Sequence, residues 1–497
     1  MNLSSTVRAC FRSVAVLVPA LVGFAWTSAH AAYAEQPNIV LVLLDNVGWG
    51  EFGSYGGGAL RGAPTPNIDL LAAEGLRLTN FNVEASCSPT RSALLTGRFS
   101  VRSGTVRSGA SGLVAWEVTL PELLKKQGYA TAHFGKWHLG NVEGRYPTNF
   151  GFDEWYGIPR SSGEALNELS PGYDPKVTPP QYILEGTVGK PSTKVKVYDM
   201  PARRAIDLDL IDKAISFAAR ESSAKRRFFA YVPLTQIHYP SVPSAAFTGK
   251  TGFGDFADSM VQTDDLVGKL VRAIDQMGIG KNTLIILASD NGPEYRRPWR
   301  GTAGPWSGTY HTMMEGGLRS PAIARWTGVI KPAVSDGIVH VVDLFTTLAH
   351  LGGAKTPSDR PVDGVDQFAF FTGQSIKSAR EGFPIYIEGE LYGAKWRDWK
   401  YHIVWRPDGG KPSEKPAHPY IFNITVDPKE ESPRVSAAND TARIEDDWMM
   451  EPILKTLSDM NASLTANPPI PFGAPVDYVP KQGRPRPAGN RANPGPG

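Results

Sequence analysis

Cysteine is nearly absent: the 497 residues hold two, Cys10 and Cys87. Cys10 sits in an N-terminal stretch that reads as a leader, so Cys87 stands alone in the rest of the chain. A lone cysteine excludes an internal disulfide and a multi-thiolate metal site, and its role must be local. Charge of one sign is also lacking. The formal net charge of +3 includes Arg8 and Arg12 of the leader, so the remaining chain offers no electrostatic footprint for nucleic acid. Beyond residue 34 no uninterrupted apolar run is long enough to cross a bilayer, which argues against a membrane protein. Internal repeats are missing as well, which excludes a repeat architecture.

What is present begins with a signal peptide over residues 1–34. Arg8 and Arg12 precede an apolar run from Val14 to Trp26, and small residues come next at Ala29-His30-Ala31 and Ala32-Tyr33-Ala34. Cys10 lies before the apolar run rather than after it, so it does not read as a lipidated cysteine. The expectation is an exported, soluble protein, periplasmic in a Gram-negative source and secreted otherwise. The remaining length suits one large domain and a smaller one.

Asn38 to Leu44 is a continuous apolar run, the mark of a strand buried on both faces. Tyr129 to Phe134, Phe228 to Leu234 and Thr283 to Ser289 are further strand candidates. Helices are expected at about Asn67 to Glu74, with Pro66 in the first turn and Gly75 beyond the end, and at about Pro121 to Gln127. Thr119 and Glu122 have the spacing of a capping box for the second, and Gly128 closes it. Strands alternating with helices predict an α/β domain over residues 35–366, with a large, mostly parallel sheet sandwiched by helices. Over 367–463 the segments Ile385 to Ile387, Lys400 to Trp405 and Tyr420 to Val426 predict a small antiparallel α+β domain. Residues 464–497, rich in Pro and Gly from Asn467 on, read as an extended or disordered tail.

Polar residues gather after the strands. Asp45 and Asn46 come after the first; Lys136 and His138 after the second; His238 after the third; Asp290 and Asn291 after the fourth. Loops at the carboxyl ends of parallel strands share one crevice, where ligands bind. Taken singly, Asp290-Asn291-Gly292 is a turn, each histidine a loop or core residue, and Cys87 a buried thiol. Around Cys87, Ser88 can cap a helix with Pro89 at its first position and Gly97 at its end. Cys87 would then face unpaired N–H groups suited to an anion, with Arg91 one turn along.

Cys87-Ser88-Pro89-Thr90-Arg91, together with Gly128 to Gly140 and Glu315-Gly316-Gly317-Leu318-Arg319, resembles the type I, formylglycine-dependent sulfatases of the alkaline phosphatase superfamily. The order of the remaining clusters matches, and the likeness spans about Asn38 to Gly373, with Tyr420 to Ser432 similar to the family's closing strand. The resemblance implies an alkaline phosphatase-like fold and hydrolysis of sulfate monoesters. It implies that a maturation enzyme oxidises Cys87 to formylglycine, whose hydrate attacks sulfur with one hydroxyl and regenerates the aldehyde through the other. Asp45, Asn46, Asp290 and Asn291, with the modified Cys87, match the family's metal ligands; hard oxygen donors favour Ca2+, with Mg2+ next. His138 matches the base, while Lys136, His238 and Arg91 match groups around the sulfate and nucleophile.

Two positions depart from the family pattern. Asn46 stands where an aspartate is usual, which predicts a working but weaker cation site. The usual lysine before Glu315 is replaced within Tyr310-His311-Thr312-Met313-Met314, with His311 as a candidate substitute. Trp49, Trp137, Trp155, Trp299 and Trp306 lie near the motif loops and read either as pocket walls or as packing. The substrate is an aryl or a carbohydrate sulfate. The alternatives are a phosphodiesterase or phosphonate monoester hydrolase on the same fold, and a non-catalytic sulfate- or glycan-binding protein.

Overall fold

Seven consecutive apolar or amide residues, Asn38–Leu44, form β1, and all of them are buried. Ile39, Leu41 and Leu43 enter one hydrophobic cluster, and Val40, Val42 and Leu44 enter another on the opposite face. The run lacks alternation because both faces are covered. The computed structural model describes residues 36–109, 112–168, 170–174, 176–297, 300–435 and 447–481. The leader 1–34, Trp299 and residues 482–497 lie outside the described residues.

In chain order the structure runs through α1 (Pro66–Glu74), β2 (Leu76–Asn82), α2 (Cys87–Thr96), α3 (Leu120–Lys126), β3 (Ala130–Lys136), β4 (Glu154–Ile158), β5 (Tyr182–Thr187) and β6 (Thr193–Val197). Next come α4 (Met200–Ser223), β7 (Phe228–Pro233), α5 (Asp255–Gln276), β8 (Thr283–Ser289), β9 (Arg319–Arg325), β10 (Ala333–Ser335), β11 (Val339–His340) and α6 (Val341–Leu351). The sheet order is β10-β2-β9-β8-β1-β7-β3-β4-β5-β6, with β11 also on β2. β1 pairs in parallel with β7 and β8, and β3 with β7 and β4. β9 runs antiparallel to both β8 and β2. Leucines of α2 and α3 and the apolar face of α6 cover one side; α1, α4 and α5 cover the other. This is the expected α/β sandwich.

Local expectations carry small corrections. α2 starts at Cys87 with Ser86 as its cap residue, two positions earlier than expected, and Gly97 closes it at φ 68°. β3 continues through Lys136, so that lysine ends the strand rather than lying beyond it. In α3 the Thr119 N–H donates to Glu122 Oε2 at 3.0 Å.

The second sheet is antiparallel: β12 (Gly382–Ile387), β13 (Glu390–Trp396), β14 (Trp399–His402), β15 (Tyr420–Asn423) and β16 (Arg434–Val435). Phe383, Ile385, Ile387, Tyr392 and Val404 belong to the same cluster as Ile39, so the two sheets share a core. Buried ions cross the seam: Glu315 Oε2 accepts from Lys395 Nζ at 2.7 Å and from Arg319 Nε at 2.6 Å. α7 (Met450–Ala466) packs on β12 and β13. Residues 467–481 form no helix or strand, yet Ile470 and Ala474 bury against Val114 and Trp116. Ile470 N–H donates to the Arg102 carbonyl at 2.9 Å.

Candidate active site

The carboxyl ends of β1, β3, β7 and β8 face one crevice, and the first turn of α2 opens into it. Close approach of β3 to β7 depends on Gly135, at φ 146°: a Cβ there would lie 1.8 Å from the Pro233 carbonyl oxygen. Asn46 (φ 60°), His138 (φ 56°) and His311 (φ 64°) all hold left-handed backbone, which asparagine tolerates better than most residues. Such strain clusters where surrounding structure fixes functional groups.

The side chains converge. Cys87 Sγ lies 3.6 Å from Asp45 Oδ1 and 3.7 Å from Asn46 Oδ1. Lys136 Nζ donates to Asp45 Oδ2 at 2.7 Å. Arg91 Nη2 and Nε donate to Asp290 Oδ2 at 2.7 and 3.2 Å, and Nη1 donates to the Lys136 carbonyl at 2.8 Å. Asn46 N–H donates to Asp290 Oδ1 at 3.2 Å, and Asn291 Nδ2 donates to Asn46 Oδ1 at 2.6 Å. Ligand atoms of Asp45, Cys87 and His238 lie within 4.8 Å of one another. His138 stands two residues after Lys136; its carbonyl accepts from Ser88 Oγ at 2.9 Å, and its Nδ1 is buried without a hydrogen-bond partner. His311 joins the crevice through its backbone, donating to the Ala85 carbonyl at 2.7 Å. Its ring tilts against Tyr310 at 4.3 Å.

Charge is arranged in buried pairs. Burial alone would raise the Asp45 carboxyl, but Lys136, His238 and Arg91 override it and hold it below the usual carboxylate range. Burial pushes the Cys87 thiol well up, and the Asp290 and Asp45 carboxylates add to that. Burial, then Lys136 and Arg91, depress His138 well below the ordinary imidazole value. Burial also lowers His238 to about 3. His311 falls to about 4 through burial and the neighbouring Arg406 and Arg296, so its ring is neutral at about pH 7.

The oxygens suit a hard divalent cation. Asp45 and Asp290 each give one oxygen to Lys136 or Arg91 and turn the other inward. Asn291 Oδ1 is buried with no donor, an orphan that a cation would satisfy.

Three neighbours were assigned no role from the sequence. Ser162 Oγ donates to Asp45 Oδ2 at 3.0 Å; it lies just beyond β4, so its place after a parallel strand was the available signal. Glu294 Oε1 accepts from Asn46 Nδ2 at 2.5 Å. The Tyr310 phenol lies against Glu294. Of the tryptophans, Trp137 and Trp155 are core residues, edge-on to His133 at 5.3 and 6.2 Å. Trp49 and Trp306 meet each other at 6.0 Å.

The sulfatase family model matches residues 37–354. N-acetylgalactosamine-6-sulfatase of Rattus norvegicus is 36% identical over 373 residues, 71% of this chain and 69% of that protein. Arylsulfatase A of Homo sapiens is 36% identical over 409 residues, 79% of each chain. The PsFucS1 sulfatase structure from Pseudoalteromonas sp. has a TM-score of 0.81 at 32% identity, covering 88% of this chain and 93% of that one. Fold and family together define a sulfuric ester hydrolase. The chain belongs to the sulfatase family.

Proposed function

We propose that this enzyme cleaves sulfate monoesters of carbohydrates through formylglycine made from Cys87. The observation that carries the reading is the setting of Cys87, at the first turn of α2 and 3.6 Å from Asp45 Oδ1, as a thiol that burial keeps protonated. A protonated thiol is a poor nucleophile toward a sulfate anion. Formylglycine, when hydrated, supplies the oxygen nucleophile and a second hydroxyl for its own regeneration. Asp45, Asn46, Asp290 and Asn291 would hold a divalent cation, Ca2+ before Mg2+, supplying Lewis-acid polarisation.

The chain's own groups divide the remaining work. Arg91 and Lys136 place positive charge beside the nucleophile and the sulfate oxygens. His138, neutral and with an unpartnered Nδ1, takes up the proton released in the second step. His238, with Nε2 3.4 Å from Ser161 Oγ, faces the leaving oxygen.

The rim supports a sugar substrate. Tyr295 stacks on Tyr310 at 5.2 Å, and Arg296 lies over Tyr295 and Tyr239 at 5.3 and 5.1 Å. The tyrosines support the exposed Arg296, whose positive charge would meet a sulfated saccharide. Residues 1–34 direct export, to the periplasm or beyond, and a maturation enzyme modifies Cys87.

Mass spectrometry of the Leu78–Arg91 tryptic peptide from the native host tests the nucleophile. A hydrazide-reactive aldehyde at position 87 supports the reading; an intact thiol in active enzyme defeats it. Cys87→Ala is expected to abolish turnover while leaving the circular dichroism spectrum unchanged. Rates on sulfated saccharides above those on aryl sulfate support the substrate class, and preference for an aryl phosphonate overturns it.

A further inference from the structure

Asn46 is held from three sides. Its backbone N–H donates to Asp290 Oδ1 at 3.2 Å, its Oδ1 accepts from Asn291 Nδ2 at 2.6 Å, and its Nδ2 donates to Glu294 Oε1 at 2.5 Å. Glu294 is 1% exposed, so this bond is shielded from water. Tyr310 lies behind it: the phenol rests against Glu294, its backbone N–H donates to the Pro293 carbonyl at 3.1 Å, and its ring stacks on Tyr295. An amide has two ends of similar shape, and only its hydrogen-bond partners decide which end faces the pocket. Glu294 accepts and cannot donate when ionised, so it draws Nδ2 and turns Oδ1 toward Cys87.

We propose that Glu294, backed by Tyr310, is the positioning residue that aims the Asn46 oxygen into the cation pocket, and that residues 46 and 310 act as one coupled pair through it. An aspartate at 46 would replace the amide donor with a second carboxyl oxygen 2.5 Å from Glu294 Oε1. A lysine at 310 would supply a donor to Glu294 in place of the phenol. With the family's lysine read at 310 rather than at His311, the two departures become one change, and restoring the aspartate alone should not tighten the site. The inference rests on the proposed role of Asn46 as a cation ligand.

A double-mutant cycle on the full chain tests it, using Asn46→Asp, Tyr310→Lys and both together. The readouts are Tm in chelator and Ca2+ affinity by calorimetry. Asn46→Asp alone is expected to lower Tm and leave Ca2+ binding no tighter, while the double variant recovers most of both. Strictly additive effects, or a stable Asn46→Asp with tighter Ca2+ binding, overturn the proposal. Glu294→Gln provides the milder probe. It should weaken Ca2+ binding about tenfold or more, with the unfolding curve still cooperative; unchanged affinity overturns the positioning role. Should the parent bind no Ca2+, the ligand reading fails, and coupling in Tm alone still decides whether 46 and 310 are linked.

Discussion

Lys136 and Arg91 are fully buried cations, each matched to a buried carboxylate, and removing one strands its partner. Lys136→Ala is expected to destabilise the fold by roughly 3–5 kcal/mol, because Asp45 loses its principal counter-ion. It should also slow aryl sulfate hydrolysis at least ~100-fold. Denaturant unfolding and initial rates on one preparation check both. At this scale the sequence was informative where residues came in patterned groups: Cys87, Arg91, Lys136, His138, Asp290 and Asn291 sit together as their spacing implied. Ser162 had only its place after a strand to mark it, and Glu294, although it ends the Asp290 to Glu294 run, gave no sign that it holds Asn46. Tyr310 and His311 were both visible, but which ring faces Glu294 is a matter of side-chain direction that spacing cannot resolve.

Among the elements, β3 carries a tight requirement. Gly135 and Gly157 are stacked, a Cβ on Gly157 falling 1.9 Å from the Gly135 oxygen, so the strands on either side have no room for a methyl. Gly135→Ala is expected to destabilise by about 3 kcal/mol and to displace Lys136 and His138 together. Reduced Tm accompanied by loss of turnover checks it; an unaltered Tm would mean the strands can part freely. Buried parallel strands such as β1 and β8 were readable from uninterrupted apolar runs. β13 was not, since Glu390, Gly393 and Lys395 break its pattern; Lys395 is tolerated in the interior because Glu315 and, from the other sheet, Asn80 and Asn82 accept from its Nζ. The long helices α4 and α5 are hard to read in the sequence because each spreads buried polar residues along its inner face, Arg203 and Asp207 in α4 and Asp258 and Gln262 in α5.

For the whole molecule, stability tracks the buried carboxyls. Glu84 is raised to about 7, chiefly by burial, although both oxygens accept from Ser100. Its folded-state pKa lies above the unfolded value of 4.5, so the folded chain binds the extra proton between the two. That stabilisation is present in full below pH 4.5 and is lost as pH rises through about 7. Glu51, also raised to about 7, adds in the same direction. Tm should therefore fall across this window, and Glu84→Gln should make the decline shallower; equal slopes for the two proteins would refute the assignment.

The packing of α2 also sets a clock. All ten of its residues are buried, and α6 covers it, with Gly97 against Phe345. The ribosome delivers residues 87–96 early, Val341–Leu351 much later, and the Ile470 anchor close to the end. Throughout that interval the helix that covers the cysteine segment has not yet been made. An enzyme that had to reach Cys87 in extended chain would therefore work against a deadline written into the order of synthesis.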